Sequence, residues 1–199
     1  MYKPTPLALF TLGGVVLCWI VFAGIFLLRK KPAKEPEAKR DRRSLPGIFL
    51  QMCAYFLAWF QPPWRPFLPP VAVLAGNVGI AFSACTIALA VASIWLIASA
   101  VSTLGKQWAL AARLVEGHKL ITSGPYSFVR NPIYTGMLGM LVATGLAMEH
   151  WIALLVAVVL FAVGLVIRVR SEEKLLQAAF GKEFEEYAER VPAVLPGIF

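Results

Sequence analysis

The chain has 199 residues, 59% of them hydrophobic and only 15% charged, with a formal net charge of +8. Ordinary soluble domains hold about 45–50% apolar residues, so the composition argues against a soluble domain and for a single compact membrane domain. Nucleic-acid binding then becomes the lesser reading of the positive charge, and no nucleic-acid partner is expected.

The first apolar run, residues 6–28, is long enough for a bilayer, which takes about 17–25 residues. A cleaved signal peptide would begin with basic residues and end on a small-residue cleavage site. Only Lys3 precedes the run and RKKPAKEPEAKRDRR follows it, so a retained first helix is expected. Residues 29–43 predict an irregular cytoplasmic loop, attracted to anionic lipid by about 1 kcal/mol per basic residue. Residues 45–60 form a short second run, and Trp59 and Trp64 fit an interfacial belt. The third run, 71–104, carries Gly76, Gly79, Ser83, Ala84 and Ala88 at helical spacing, which suits close helix packing in lipid. A fourth run covers 132–148, and a turn at Glu149 and His150 leads to a fifth over 151–167. Cys18, Cys53 and Cys85 each sit inside a run with no C-x-x-C spacing. They read as small buried hydrophobes, not as disulfide or zinc positions.

The expected fold class is therefore an all-α integral membrane protein of about five transmembrane helices. Of the 19 basic residues, the outer segments keep only Lys3 and Arg65. That asymmetry predicts an outside N-terminus and a cytoplasmic C-terminus. It puts the polar stretches 104–131 and 168–199 on one cytoplasmic face. Within the second, Leu176, Phe180, Phe184, Tyr187 and Val191 form an apolar stripe at helical spacing. A cytoplasmic amphipathic helix lying against the membrane or the domain is expected there, with a break or bend at Gly181.

No G-x-G-x-x-G and no P-loop occurs. Asp41 is the one aspartate, and His118 and His150 fall on opposite faces in this topology, which leaves no di-histidine metal site. No ionisable residue interrupts the five runs, which argues against an ion pathway and against a transporter-like protein. What remains is a cluster at the cytoplasmic mouth. Asn131 before Pro132 is a helix start, with Asn131 as its N-cap. That leaves the company of Tyr126, Arg130 and Tyr134 to be explained. Arg168 and Glu172 lie four apart on one helix face, either as a simple pair with a snorkelling arginine or as functional groups. Glu173 points about 100° away from that face.

GHKLITSGPYSFVRNPIYTG and RVRSEEKLLQAAFGKEFEEYAERV, taken together, resemble the isoprenylcysteine carboxyl methyltransferase family and its phospholipid-methyltransferase relatives. The family pattern is G-x-Y-x-x-V-R-H-P-x-Y, a membrane hairpin, then E-E-x-x-L-x-x-x-F-G-x-x-Y-x-x-Y. Gly124, Tyr126, Val129, Arg130, Pro132 and Tyr134 match its first part. Glu172, Glu173, Leu176, Phe180, Gly181 and Tyr187 match its second. Asn131 stands where the family usually has histidine, and Phe184 where it often has tyrosine. The resemblance covers about residues 104–196.

The resemblance implies an S-adenosylmethionine-dependent methyltransferase, with S-adenosylhomocysteine as product and a lipophilic substrate arriving from the bilayer. Residues 104–199 would be its core and 1–103 its N-terminal transmembrane helices, within one structural domain. Arg168 and Glu172 would be catalytic. His118, Lys119, Leu120, Gly124, Tyr126, Arg130, Asn131, Pro132, Tyr134 and Glu173 would bind the cofactor, and no metal is implied. Carboxyl O-methylation of a prenylcysteine-like lipid is the first expectation. Phospholipid or small-amine N-methylation, and a non-catalytic binding protein of the same fold, stand as alternatives.

Overall fold

The computed structural model describes residues 5–27, 37–40, 44–60, 76–105, 113–115, 119–148 and 151–194. Its helices are α1 (Pro6–Leu27), α2 (Leu45–Trp59), α3 (Asn77–Leu104), α4 (Pro132–Met148), α5 (Trp151–Phe180) and α6 (Lys182–Arg190). A 3-10 turn, Gly124–Ser127, precedes α4. Part of the stretch expected as an irregular loop is ordered: β1 (Glu37–Arg40) pairs antiparallel with β2 (Arg113–Val115). Apart from this short ribbon the described secondary structure is helical. Trp64, His118, Glu149 and His150 lie outside the described residues.

Three helices, α1, α3 and α5, are long and apolar enough to cross a membrane, whereas α2 and α4 are shorter apolar helices of 15 and 17 residues. Large apolar side chains such as Leu17, Ile20, Phe49, Phe56, Trp95, Leu155 and Val159 stand exposed on these helices. So extended an apolar exterior fits a protein that meets lipid rather than water.

The helix α4 occupies the centre. On one side Met140, Ala143 and Ala147 pack with Val15 and Cys18 of α1 and Ala90, Ile94 and Ile97 of α3. On the other, Tyr134 and Leu141 pack with Ala54 and Tyr55 of α2 and Phe161, Leu165 and Val169 of α5. Buried polar bonds tie these layers without exposing donors to hydrocarbon: Trp19 Nε1 donates to Thr144 Oγ1 at 2.9 Å and Tyr55 Oη to the Met137 carbonyl at 2.8 Å. Trp59 sits against Trp19, ring centroids 6.2 Å apart, and so serves the core as well as any interface.

The small residues of α3 act differently from expectation. Gly79 and Ser83 are buried, but Gly76, Ala84 and Ala88 are exposed. The close approach falls further along: Gly136 and Gly139 of α4 meet Ser93 and Ile97 of α3. Of the three cysteines only Cys18 is buried; Cys53 is half-buried and Cys85 is exposed on α3.

The fifth apolar run does not end where its hydrophobicity ends. α5 continues for 30 residues to Phe180, about 45 Å at 1.5 Å per residue, against a hydrocarbon core of about 30 Å. Its last turns are built from Glu, Lys, Leu, Gln and Ala, all strong helix formers. Gly181, at φ 53°, then breaks the helix, and α6 folds back. Phe184, Tyr187 and Val191 consequently gather with Leu120, Leu176 and Phe180 in one small core.

A Cβ on Gly136 would lie 2.5 Å from Ile97 Cγ1 and 2.8 Å from the Ser93 carbonyl oxygen, whereas one on Gly13 would meet nothing within 4 Å. Gly136→Ala should therefore cost about 1–3 kcal/mol through overpacking and Gly13→Ala should not. Melting midpoints of the two variants in detergent check this.

Candidate functional site

The 3-10 turn forms because Gly124 adopts φ 61°, and a Cβ there would press on Thr103 Oγ1 at 3.1 Å. The turn thus rests on the end of α3, buries Tyr126 and Val129, and delivers Arg130 to the mouth of the helix bundle.

Arg130 is the hub of that mouth. Its Nε and Nη2 donate to Glu173 Oε1 at 3.0 and 2.8 Å, and Nη1 donates to the carbonyls of Ala188 and Val191. The chain beyond α6 then runs across the start of α4. The backbone N–H groups of Arg130 and Asn131 donate to the carbonyls of Pro192 and Ala193, at 2.8 and 2.9 Å. Asn131 Nδ2 also donates to the Ala193 carbonyl, at 3.0 Å, and Thr135 Oγ1 to that of Val194, at 2.8 Å. Donors that a helix start leaves unpaired are partly met by the far end of the chain. Asn131 is at the helix start as expected, its carbonyl accepting from Tyr134 and Thr135. Its side-chain amide, however, docks residues 191–194.

Tyr187 Oη donates to the Tyr126 carbonyl at 2.6 Å. Burial pushes the Tyr187 hydroxyl up to about 12, with the Arg130 charge pulling the other way, so it remains a donor at ordinary pH. Between these groups lies a pocket, part of it open to solvent. Residues 119–121 and Leu104 form one wall. Tyr126, Arg130 and Asn131 form the second, and Glu172, Glu173, Leu176, Phe184 and Tyr187 the third.

A second polar layer sits beneath Glu172. Tyr134 Oη donates to Glu172 Oε1. The Arg168 guanidinium lies over the Tyr134 ring, 4.5 Å from its centroid, and Arg168 Nη2 is 3.9 Å from Glu172 Oε1. Arg168 does not snorkel: it is 4% exposed and donates from Nη1 to Gln51 Oε1 at 2.8 Å.

Among the residues expected at the site, Lys119, Leu120, Tyr126, Arg130, Asn131, Glu172 and Glu173 line the pocket. Gly124 shapes the turn, Pro132 opens α4, and Tyr134 and Arg168 belong to the layer below. His118 falls outside the described residues. Sequence reasoning missed Gln51, for which a signal existed: it is a lone amide in the apolar run 45–60.

The phospholipid methyltransferase family model matches residues 78–183, from the start of α3 to the start of α6. The chain belongs to the phospholipid methyltransferase family. It is 37% identical over 98 residues to the cobalt-zinc-cadmium resistance protein CzcN of Cupriavidus metallidurans, covering 48% of this chain and 44% of that one. It is 33% identical over 100 residues to protein-S-isoprenylcysteine O-methyltransferase B of Arabidopsis thaliana, covering 49% of this chain and 51% of that one. To the nickel-cobalt-cadmium resistance protein NccN of Alcaligenes xylosoxydans xylosoxydans it is 32% identical over 113 residues, 55% of this chain and 52% of that one. The chain spans about half the length of the curated relatives it matches. The family resemblance carried by the two motifs is thus upheld. The family-matched residues include both polar layers except Gln51, and stop short of Phe184, Tyr187 and Val191.

Removing the hub should loosen the far end first. Arg130→Ala deletes hydrogen bonds to a charged group worth about 1.5–3 kcal/mol each when well formed. Amide hydrogen exchange should quicken at least tenfold over residues 182–194 and stay unchanged in α1 and α3. Unchanged exchange over 182–194 would contradict the hub role.

Proposed function

We propose that this chain is an S-adenosylmethionine-dependent membrane methyltransferase that acts on a lipophilic substrate, with carboxyl O-methylation of a prenylcysteine-like lipid as its reaction. The observation that carries the reading is the joint pocket: two motif segments on either side of a helical hairpin contribute Arg130, Tyr126, Glu172 and Glu173 to a single cleft. Membership of a methyltransferase family and likeness to an isoprenylcysteine O-methyltransferase support it.

The residues present suit the cofactor. Glu172 engages Tyr134 through Oε1, which leaves its second oxygen to accept from the cofactor's ammonium or hydroxyls. Glu173 fixes Arg130 and adds negative charge beside a cationic sulfonium. The backbone at 119–121 and Gly124 would hold the adenosine, Tyr126 and Tyr187 would offer ring faces, and His118, outside the described residues, is assigned to the cofactor from the sequence alone. Asn131, Pro132 and Tyr134 hold the wall that keeps these groups in place. When bound, S-adenosylmethionine supplies a sulfonium methyl that an acceptor atom takes in line, leaving S-adenosylhomocysteine. A carboxylate acceptor, with a pKa near 4, is already ionised at neutral pH and needs no general base. It needs a holder, and a guanidinium fork such as Arg168 suits it. Positioning and exclusion of water then provide most of the acceleration.

In this reading the cleft lies at the edge of the bilayer, on its cytoplasmic side and with the N-terminus outside; the apolar helices and the uneven spread of basic residues support it. α2 and α4 join the three longer helices in a five-helix membrane bundle, and α6 lies on its cytoplasmic face. A polar cofactor then reaches the cleft from water and the lipid tail reaches it from the membrane. Amine methylation is the second reading, favoured by the placement of Glu172 on the cleft wall, where a carboxylate would serve as base.

Calorimetric titration of the detergent-solubilised chain with S-adenosylmethionine should show saturable binding, weakened at least tenfold in Glu172→Ala. Labelled methyl transfer to a prenylcysteine should exceed transfer to phospholipid, and Arg168→Lys should lower turnover far more than cofactor affinity. Absence of binding would remove the enzyme, and preferential labelling of phospholipid would select the amine reading.

A further inference from the structure

Beneath the pocket, α2 and α5 cross through an exchange of glycines. The helices run antiparallel here: Gly47 faces Arg168, Gln51 faces Gly164, and the Tyr55 ring lies 5.9 Å from that of Phe161. A Cβ on Gly47 would stand 2.5 Å from the Gly164 carbonyl oxygen and 2.6 Å from Arg168 Cγ. A Cβ on Gly164 would stand 2.6 Å from the Gly47 carbonyl oxygen and 3.2 Å from Gln51 Cγ. Each glycine therefore clears the space that the opposing polar side chain fills.

The two side chains meet at the crossing, where Arg168 Nη1 donates to Gln51 Oε1 at 2.8 Å. Gln51 is 2% exposed. Its carbonyl oxygen is used, but its Nε2 has no hydrogen-bond partner among the described residues. Roughly nine in ten buried polar groups are bonded, and leaving one unbonded is costly. Packing alone does not require this amide, because small residues suffice to bring apolar helices together. Both of its polar atoms sit on one carbon, so the unused N–H lies alongside the guanidinium.

We propose that Gln51 is a substrate-binding residue: it fixes Arg168 through Oε1 and, with its Nε2–H beside the guanidinium, presents a donor-only pair to a lipid-tailed carboxylate. This rests on the function proposed above and sharpens its substrate class. Arginine has five N–H donors and no acceptor, and the free half of the amide is also a donor. Such a pair holds a carboxylate and discriminates against an ammonium. It also makes α2, which precedes the family-matched residues, a part of the site.

Gln51→Met and Gln51→Glu test this in the full chain in detergent, with farnesylthioacetate, farnesylamine and S-adenosylhomocysteine as separate calorimetric probes. Both variants should bind S-adenosylhomocysteine within about twofold of the unaltered chain. Farnesylthioacetate should bind about tenfold more weakly to Gln51→Met and more weakly still to Gln51→Glu, which sets an anion against an anion. Farnesylamine should bind weakly to the unaltered chain and better to Gln51→Glu. Undiminished farnesylthioacetate binding in both variants overturns the proposal. So does equal loss of the lipid and S-adenosylhomocysteine, which would mark Gln51 as packing only. If Gln51→Met fails to fold, the near-isosteric Gln51→Glu decides. An unaltered chain that binds S-adenosylhomocysteine but not farnesylthioacetate overturns the carboxylate assignment alone. One that binds neither overturns the proposed enzyme with it.

Discussion

The site depends on the commitments of one guanidinium. Arg130 reaches a carboxylate 43 residues away and two carbonyls 58 and 61 residues away. A lysine could not do this, since it lacks the planar fork that lets arginine hold a carboxylate on one edge and carbonyls on another. Without these bonds the end of α5 would lose its tie to the start of α4, and α6 and residues 191–194 would be kept there by a small apolar core, the Tyr187–Tyr126 bond and the bonds of residues 192–194 with the backbone of residues 130–131 and the side chains of Asn131 and Thr135. With them, the two polar stretches become opposite walls of one cleft.

The length of α5 gives that cleft its position. A helix of 30 residues outreaches the bilayer's hydrocarbon, so one covalent element carries both a lipid-facing half and a polar half. Arg168 stands near the changeover and Glu172 and Glu173 one turn beyond it. Nearest the apolar end come Gln51, Arg168 and Tyr134, buried among three helices. Next comes Glu172, touching both layers, and outermost are Glu173 and Arg130 at the solvent-facing mouth. A polar gradient of this kind suits the reaction proposed above, whose two reactants would arrive from different solvents.

Much of this was legible in the sequence. The bounds of α4 follow from Pro132 and the apolar run after it, and the spacing of the two motifs brought Arg130, Tyr134, Glu172 and Glu173 under suspicion together. The end of α5 was misplaced because hydrophobicity, not helix propensity, was used to stop it; the residues after Arg168 favour helix until Gly181. The docking of residues 191–194 was not legible, because most of its bonds involve backbone carbonyls that any sequence possesses. Gln51 escaped for a related reason. A lone amide in an apolar run acquires meaning only once antiparallel packing sets it against Gly164 and Arg168, and nothing local to either helix specifies that register. Asn131 has a local reading as the start of α4, whereas the docking of its amide on the Ala193 carbonyl has no local signal.

A double-mutant cycle between Arg130→Met and Glu173→Gln, read from unfolding free energies in detergent, tests the central claim most directly. The account predicts that the two changes are strongly non-additive, with a coupling of about 1–3 kcal/mol, because each removes the same clasp. Additive effects would mean that the two motif segments do not meet through this pair, and that the cleft is held by something else.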